Sequence, residues 1–354
     1  MKMLSDFTSE SLSSDTSFLS NLERYIEYFE AYLADLLKQL DQEIQPHASH
    51  VCLAGGKRIR PLLVYLFGSR ALESKQTDIE SLMKASAVLE MVHVATLVHD
   101  DILDHASTRR GVSTVHHSIG NHSAVLLGDA LFSYALELAA EFPTAKVCKI
   151  VARATKRTCS GEIRQTFSRG KFEISLDQYL GFINDKTGEL FKASCEVGCL
   201  LANEDLEVSR TAGELGLSLG INYQVFDDLI DAFGNSTQST KTLRSDWSTG
   251  KITLPLILLS QLANPTEISL LQSKFSQIDE KNSARCLEIL HLLEKYNILQ
   301  ECTAYLSKEF EYTLSLIDSL PCPETQKNLR SFLGTFSSKF ASLNTLQTCN
   351  FLAF

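Results

Sequence analysis

Apolar residues recur at three- and four-residue spacing along most of this chain, which is the spacing of one face of an α-helix. Leu22, Tyr25 and Phe29 belong to one such stripe near the N-terminus. The strict alternation of a half-buried strand is hard to find, and Val51–Leu53 and Val112–Val115 are too short to count as strands. The pattern therefore predicts a protein that is nearly all helical.

The apolar stripes and the sparse prolines give the helix boundaries. We expect helices over residues 17–44, 60–73, 78–104, 122–141, 144–168, 176–202, 205–233, 252–262, 265–276, 283–295, 298–319 and 323–343. The Ser/Thr-rich residues 1–14 are expected to be loose. No stretch resembles a domain linker, so residues 15–354 are expected to form one large helical domain.

Composition narrows the class of protein. Hydrophobic residues make up 44% of the chain, which is enough for a sizeable core, and the net charge of −10 argues against a nucleic-acid binder. Nine cysteines without a CxxC pair indicate reduced thiols, so we expect a cytoplasmic protein. The N-terminus lacks the apolar run of a signal peptide, and no stretch approaches the ~20 apolar residues of a spanning helix, so we expect no transmembrane segment.

One acidic pattern, DDxxD, occurs twice. Asp100–Asp104 reads DDILD and Asp227–Asp231 reads DDLID, and each follows an apolar run. Positions i and i+4 share a helix face, so the first and last aspartates of each motif point the same way. A single motif of this kind is more often a solvated acidic helix end. Two copies in apolar surroundings favour a metal site, and hard carboxylate oxygens favour Mg²⁺ or Mn²⁺ over zinc.

Basic residues occur beside both acidic motifs although the chain is acidic. They suit a diphosphate, because arginine makes bidentate phosphate contacts and lysine acts as a point charge. The stretch GGKRIRP at 55–61 contributes three of them before a helix start. The full set comprises Lys57, Arg58, Arg60, Arg109, Arg110, Lys186, Lys241 and Lys251.

Together these motifs resemble the all-trans polyprenyl diphosphate synthases, in their long-chain, octaprenyl diphosphate synthase-like form. The similarity runs from Gly55 to about Pro255 and includes GGKRIRP (55–61), HDDILDHASTRRG (99–111), GD (128–129), GEIRQ (161–165), KTGELF (186–191), YQVFDDLIDAFG (223–234) and GKITLP (250–255). The resemblance implies an all-α fold, a single large helical bundle around a deep central cavity, usually as a homodimer. It also implies peripheral membrane contact for product release.

The resemblance assigns roles to particular residues. It implies that Mg²⁺, or Mn²⁺, is held by Asp100, Asp101, Asp104, Asp227, Asp228 and Asp231. It implies that the allylic diphosphate is bound by Arg109, Lys186, Thr187, Gln224, Lys241 and Lys251, and isopentenyl diphosphate by Lys57, Arg60, His93 and Arg110. Lys186, Thr187 and Gln224 would be catalytic, the last two beside the reacting carbon. The implied reaction is Mg-assisted ionisation of the allylic diphosphate, condensation with isopentenyl diphosphate and proton elimination.

One loop departs from the family pattern. After the second acidic motif, Thr240-Lys241 and Arg244-Ser245-Asp246 stand where the family tends to have a G-K pair and a G-x-D. The lost glycines bear on the conformation of this loop more than on the chemistry.

Product length depends on the helix before Asp100, which should line the cavity for the growing chain. Ala95 and Thr96 are small, and Val92 and Leu89 continue the same wall with no aromatic residue. About three helical turns at 1.5 Å per residue leave an open length of roughly 18 Å. We therefore expect a product of about six to ten isoprene units, with octaprenyl diphosphate at the centre. A geranylgeranyl diphosphate synthase stays open if a residue on another helix, such as Phe132, forms the floor.

Three other classes compete with this interpretation. A class I terpene cyclase also carries DDxxD but normally has a different second metal motif. A di-iron carboxylate bundle would use pairs such as Glu90–His93 and Glu288–His291, and would leave the cations unexplained. A non-catalytic regulatory subunit would be expected to lose aspartates or phosphate-binding cations, and none is lost here.

Overall fold

In a computed structural model, the chain is described over residues 18–73, 77–109, 111–234, 245–275 and 283–346. Its helices, in chain order, are α1 (Phe18–Leu37), α2 (Gln45–Cys52), α3 (Ile59–Gly68), α4 (Arg70–Glu73), α5 (Ile79–Leu103), α6 (Val115–Ile119), α7 (Asn121–Ala140), α8 (Ala145–Phe167), α9 (Leu176–Ile183), the π-helix π1 (Asn184–Gly188), α10 (Glu189–Leu201), α11 (Leu206–Phe233), α12 (Ser245–Ser248), α13 (Leu254–Leu262), α14 (Pro265–Phe275), α15 (Ser283–Lys295), α16 (Ile298–Asp318) and α17 (Pro323–Leu346). Within the described residues the only strands are β1 (Thr108–Arg109) and β2 (Val112–Ser113), an antiparallel pair. The all-α prediction is confirmed.

Three predicted helices differ from the structure, and the helix expected over 60–73 is divided at Ser69 into α3 and α4. The helix expected over 17–44 ends at Leu37, and a separate helix begins at Gln45, because Pro46 lies at its first turn, where a missing N–H is tolerated. The helix expected over 176–202 contains the π-helix Asn184–Gly188. A π-helix has no reliable signature in a single sequence, so the apolar spacing could not reveal it. The loose segment expected at 1–14 lies outside the described residues.

The described chain divides into two compact units. Unit 1 comprises the described residues up to Lys156 with Glu189–Leu217 and Asp318–Leu329, and unit 2 comprises Arg157–Gly188, Ser218–Ile317 and the described residues from Arg330 on. The prediction of one helical domain over 15–354 stays a prediction.

Unit 1 is built around α5, which packs against α7, α3 and α10. The close approach of α10 to α3 depends on Gly198. A Cβ there would lie 2.8 Å from the carbonyl oxygen of Val64 and 2.9 Å from the Cβ of Phe67. The Tyr25 and Tyr65 rings stack with centroids 4.4 Å apart. This packing fixes the axis of α5, whose last turn carries the first acidic motif.

Two helices of unit 1, α5 and α7, are long and apolar enough to cross a membrane by length and composition. This is weak evidence, because 72% of the apolar stretch of α5 is buried inside the unit. For α7 the buried share is 44%, and Val125, Leu126 and Leu136 are exposed. The expectation that no stretch is long enough to span a membrane therefore does not hold by length and composition for these two helices.

Unit 2 has its own hydrophobic core. Buried residues of the second half of α11, Val225 and Leu229, belong to it, together with Tyr179 of α9 and Trp247 of α12. Helix α9 packs against α13, and α13 packs against α15. The core therefore holds the C-terminal half of α11, which carries the second acidic motif, and the end of α9, which directly precedes π1.

Candidate active site

The first acidic motif lies at the end of α5 and divides into inward and outward carboxylates. Asp101 is 6% exposed, whereas Asp100 and Asp104 are partly exposed. The β1–β2 hairpin returns Arg109 to the motif, where its Nε donates to Oδ1 of Asp101 over 2.7 Å. Burial raises the pKa of Asp101 above its ordinary value, and the Arg109 guanidinium lowers that pKa and offsets part of the rise.

A cavity opens beside this motif in unit 1. Its lining includes His93, Asp101 and Arg109, together with the apolar Val94 and Leu97. The structure thus brings one predicted isopentenyl diphosphate ligand and one predicted allylic diphosphate ligand to the same cavity as the first motif. The same lining includes Arg58 and Glu90, so the cavity combines paired cations and carboxylates with apolar walls.

The three basic side chains of the GGKRIRP stretch have different environments. Lys57 is exposed, and Arg60 is buried with its guanidinium 4.9 Å from the ring centroid of Phe191. Arg58 is buried in left-handed backbone with φ of 46°. Its Nη1 donates to Glu90 over 2.7 Å, and its Nε donates to Glu30 over 2.6 Å. Arg58 is therefore engaged by carboxylates inside unit 1, where it also lines the cavity beside the first motif.

The second acidic motif lies near the end of α11 in unit 2 and repeats the division. Asp228 is 5% exposed, whereas Asp227 and Asp231 are partly exposed. The hydroxyl of Tyr179 donates to Oδ2 of Asp228 over 2.7 Å, and Nε2 of Gln224 donates to Oδ1 over 2.8 Å. Burial raises the pKa of Asp228 well above its ordinary value, and Asp246 raises that pKa further.

The π-helix supplies the remaining groups of unit 2. Gly161 of α8 permits its approach, because a Cβ there would lie 2.6 Å from the backbone nitrogen of Lys186. The Lys186 ammonium forms an ion pair with Glu162 and donates to Oε1 of Gln165 over 3.3 Å. The hydroxyl of Thr187 donates to Oε1 of Gln224 over 2.8 Å. The structure thus brings Thr187 into contact with Gln224, and Lys186 precedes Thr187 in the π-helix.

Two further carboxylates hold cations in this unit. Asp185 is buried and pairs with Arg157, whose Nη2 lies 2.7 Å from its Oδ1, and also with Arg164. The buried Lys251 lies with its Nζ 3.7 Å from Oδ1 of Asp246. These pairs concentrate positive groups around π1 and the segment after α12.

Comparisons with known proteins identify the family of this chain. A family model described as Polyprenyl synthetase matches residues 41–293. The chain belongs to the polyprenyl synthetase family. It is 31% identical over 306 residues to heptaprenyl diphosphate synthase component 2 of Geobacillus stearothermophilus, covering 84% of this chain and 92% of that protein. It is 36% identical over 235 residues to a decaprenyl-diphosphate synthase of Dictyostelium discoideum, covering 66% of this chain and 50% of that protein.

A solved structure shares the fold of this family member. The crystal structure of a polyprenyl synthase from Caulobacter crescentus, complexed with calcium and isoprenyl diphosphate, has a TM-score of 0.80 and 30% identity, covering 88% of this chain and 94% of that one. The predicted family, its helical fold and its class as a prenyl-transferring enzyme are confirmed.

The remaining predicted residues either lie outside the described part of the chain or belong to α5. Arg110 and Lys241 lie outside the described residues, as does Arg244. Leu89, Val92 and Ala95 are completely buried in α5, and the hydroxyl of Thr96 donates to the carbonyl oxygen of His93 over 2.7 Å. Their role in product length stays a prediction.

Three contributors escaped the sequence analysis. Glu162 lies in the quoted GEIRQ stretch, but only the fold brings Lys186 to it. Tyr179 and Asp185 likewise have no sequence signal, since each matters only because the fold places it against Asp228 or against Arg157 and Arg164.

Proposed function

We propose that this chain extends an allylic diphosphate with isopentenyl diphosphate and releases a long-chain polyprenyl diphosphate. The observation that carries the proposal is the contact in unit 2 between Thr187, which follows Lys186 in π1, and Gln224, which lies one helical turn before Asp227 in α11. It offers a cation for a leaving diphosphate and two oxygen dipoles for a positive carbon. Membership of the polyprenyl synthetase family supports it.

The chemistry follows from these charges. Arg109, Lys186 and Lys251 would stabilise the negative charge that grows on the diphosphate as the allylic C–O bond breaks and its electron pair leaves with oxygen. The oxygens of Thr187 and Gln224 would face the allylic cation. Its carbon then bonds to the double bond of isopentenyl diphosphate, and a proton is lost to the released diphosphate.

The second substrate would be held by fixed cations of unit 1 and by its cavity. Lys57, Arg60 and His93, with Arg110, would bind the diphosphate of isopentenyl diphosphate. Holding both reactants in place removes much of the entropic barrier of a two-molecule reaction.

The donor set fits Mg²⁺. No group of three or more His, Cys, Asp or Glu side chains among the described residues forms a ready-made metal site. Mg²⁺ characteristically uses one or two carboxylates and completes its shell with substrate phosphates and water. The partly exposed Asp100, Asp104, Asp227 and Asp231 would offer such carboxylates, whereas Asp101 and Asp228 are buried. When bound, Mg²⁺ would neutralise diphosphate charge and favour its departure.

A direct assay tests the proposal. Purified protein is incubated with farnesyl diphosphate, radiolabelled isopentenyl diphosphate and MgCl₂, and the products are separated by chain length. We expect labelled polyprenyl diphosphate, and none when a chelator removes the metal. A protein that incorporates no label alone but does so after addition of a second subunit would instead be a component of a heteromeric enzyme.

The product length rests on small residues in α5 and on relatives named as heptaprenyl and decaprenyl synthases. Thr96→Phe places an aromatic ring one turn before Asp100 and should shorten the product by at least one isoprene unit. It is preferred to Ala95→Phe, because Ala95 is fully buried and overpacking would destabilise the core. Thr96→Val is the matched control and should leave the product length unchanged. A wild-type product of geranylgeranyl length would favour the shorter-chain alternative.

A second copy of the chain is the partner we propose for the exposed apolar face of α7. Val125, Leu126 and Leu136 share this face, and exposed apolar patches of this kind mark association surfaces. Leu126→Asp should convert a dimer to a monomer in light scattering, whereas Leu206→Asp, at an exposed position in α11, should not. A monomeric wild-type chain would contradict this and favour a different subunit, as the name component 2 implies for the Geobacillus relative. A cytoplasmic location with peripheral membrane contact remains part of the proposal.

A further inference from the structure

Four side chains in unit 2 form a continuous line of hydrogen bonds. The hydroxyl of Tyr179 donates to Oδ2 of Asp228, and the other oxygen of Asp228 accepts from Nε2 of Gln224. The carbonyl oxygen of Gln224 accepts from the hydroxyl of Thr187. The three contacts measure 2.7, 2.8 and 2.8 Å.

This line has a direction, which is set at its buried end. Tyr179 is completely buried, and its hydroxyl donates to Oδ2 of Asp228. Asp228 thus accepts hydrogen bonds at both oxygens, since its Oδ1 accepts from Nε2 of Gln224. The NH₂ group of Gln224 faces Asp228, which leaves its carbonyl oxygen toward Thr187.

We propose that Asp228 and Tyr179 are positioning residues that hold the Gln224 amide with its oxygen, not its nitrogen, toward Thr187. The inference rests on the proposed function, in which an allylic cation forms beside Thr187 and Gln224. An amide oxygen attracts a developing positive carbon, and an amide NH₂ group repels it. Asp228 would thus act on the reaction through Gln224.

The burial of Asp228 separates it from its neighbours in the motif. Both of its oxygens are engaged by protein donors and the residue is 5% exposed, whereas Asp227 and Asp231 are partly exposed. The structure therefore offers the outer two carboxylates to a metal bound with substrate and gives the middle one a different task.

The key variant is Asp228→Asn. Tyr179 still needs an acceptor and takes the Asn carbonyl oxygen, which leaves the Asn NH₂ group facing Gln224. Gln224 must then turn its oxygen away from Thr187. We expect kcat to fall about ten- to a hundredfold, while KM for farnesyl diphosphate changes less than about threefold.

A second substitution should restore the arrangement. In the double variant Gln224→Glu with Asp228→Asn, one Glu oxygen accepts from Asn and the other accepts from Thr187. We expect kcat to recover at least about fivefold over each single variant. A merely structural loss would not recover, because the double variant would carry both defects.

A matched control exists in the same unit. Tyr296 donates its hydroxyl to Oε2 of Glu267 over 2.6 Å, away from this line. Tyr296→Phe should leave kcat unchanged. Tyr179→Phe should lower kcat less than Asp228→Asn does, because Asp228 still accepts from Gln224. In the Asp228→Asn background, Tyr179→Phe should raise kcat, because Asn is then free to rotate.

A measurement without turnover separates this inference from the proposed function. NMR of protein labelled with ¹⁵N at glutamine reports the side-chain amide signal of Gln224, which is identified by its loss in Gln224→Glu. This signal should shift in Asp228→Asn and stay unmoved in Tyr296→Phe. If wild-type protein incorporates no isopentenyl diphosphate but this signal shifts, the proposed function fails and the hydrogen-bond line stands. An unmoved signal, a kcat within twofold of wild type in Asp228→Asn, or a double variant no faster than the single ones would overturn the inference. Should Asp228→Asn not fold, Gln224→Glu against the double variant gives the same decision.

Discussion

The two acidic motifs have the same sequence pattern and the same division into one buried and two partly exposed carboxylates, but their buried members are stabilised differently. Asp101 in unit 1 pairs with the guanidinium of Arg109. Asp228 in unit 2 is held by two neutral donors, Tyr179 and Gln224. A repeated motif therefore does not imply a repeated environment.

The difference has an electrostatic consequence. Arg109 brings positive charge to the first motif and is itself a third exposed, so it can exchange the carboxylate for a phosphate. The second motif receives no charge from its donors, and the pKa of Asp228 rises well above that of an ordinary aspartate. We infer that the first motif supports binding of the diphosphate, whereas the second supports orientation of the groups at the reacting carbon.

The largest expected effect concerns the outer aspartates. Asp100→Ala and Asp227→Ala should each lower kcat/KM at least about a thousandfold in the isopentenyl diphosphate assay, because each removes a carboxylate proposed to bind Mg²⁺ with substrate. Thermal unfolding without substrate should change little, since neither residue is buried. If either variant keeps more than a tenth of wild-type activity, the proposal that the outer aspartates of both motifs bind Mg²⁺ with substrate is wrong.

The next effect concerns stability, through the buried ion pair of unit 1. Arg58→Ala leaves Glu90 buried without its guanidinium, and breaking such a pair should lower the free energy of unfolding by about 3–5 kcal/mol. Denaturant titration measures it. Arg210→Ala is the control, because Arg210 pairs with Glu214 on the surface and should cost about 0–1 kcal/mol. Equal losses of unfolding free energy in the two variants would show that the buried ion pair contributes no more to stability than the surface pair.

Sequence reasoning succeeded where the pattern is local. Helical spacing placed α5 and α11, and the i, i+4 rule grouped the first and last aspartates of each motif, which the structure finds partly exposed while the middle ones are buried. It could not place Arg58, because Lys57, Arg58 and Arg60 look alike until the fold brings Glu30 and Glu90 to one of them. Tyr179 was missed for the same reason, since its partner lies far along the chain.

A smaller effect tests the binding role of the first motif directly. Asp101→Asn keeps an acceptor for Arg109 but removes the charge that orients it. We expect KM for the allylic diphosphate to rise about tenfold, with kcat changed less than about threefold. Steady-state kinetics with farnesyl diphosphate measures both constants. The opposite split is expected for Asp228→Asn, so the same split in both variants would remove the distinction between the motifs.

The smallest expected effect concerns a second buried carboxylate of unit 2, which unlike Asp228 is paired with arginines. Asp185, in the same unit, is buried and is shared by Arg157 and Arg164, both about half exposed. Arg157→Ala should therefore lower the free energy of unfolding by only about 0–1 kcal/mol, since Arg164 remains and solvent screens the pair. Removing both arginines strands a buried carboxylate and should cost about 3 kcal/mol or more. A double-variant loss larger than the sum of the single losses in denaturant titration would show that Asp185 needs a cation, unlike Asp228, which has only neutral donors. Small and additive losses would show that buried carboxylates of this unit need no cation.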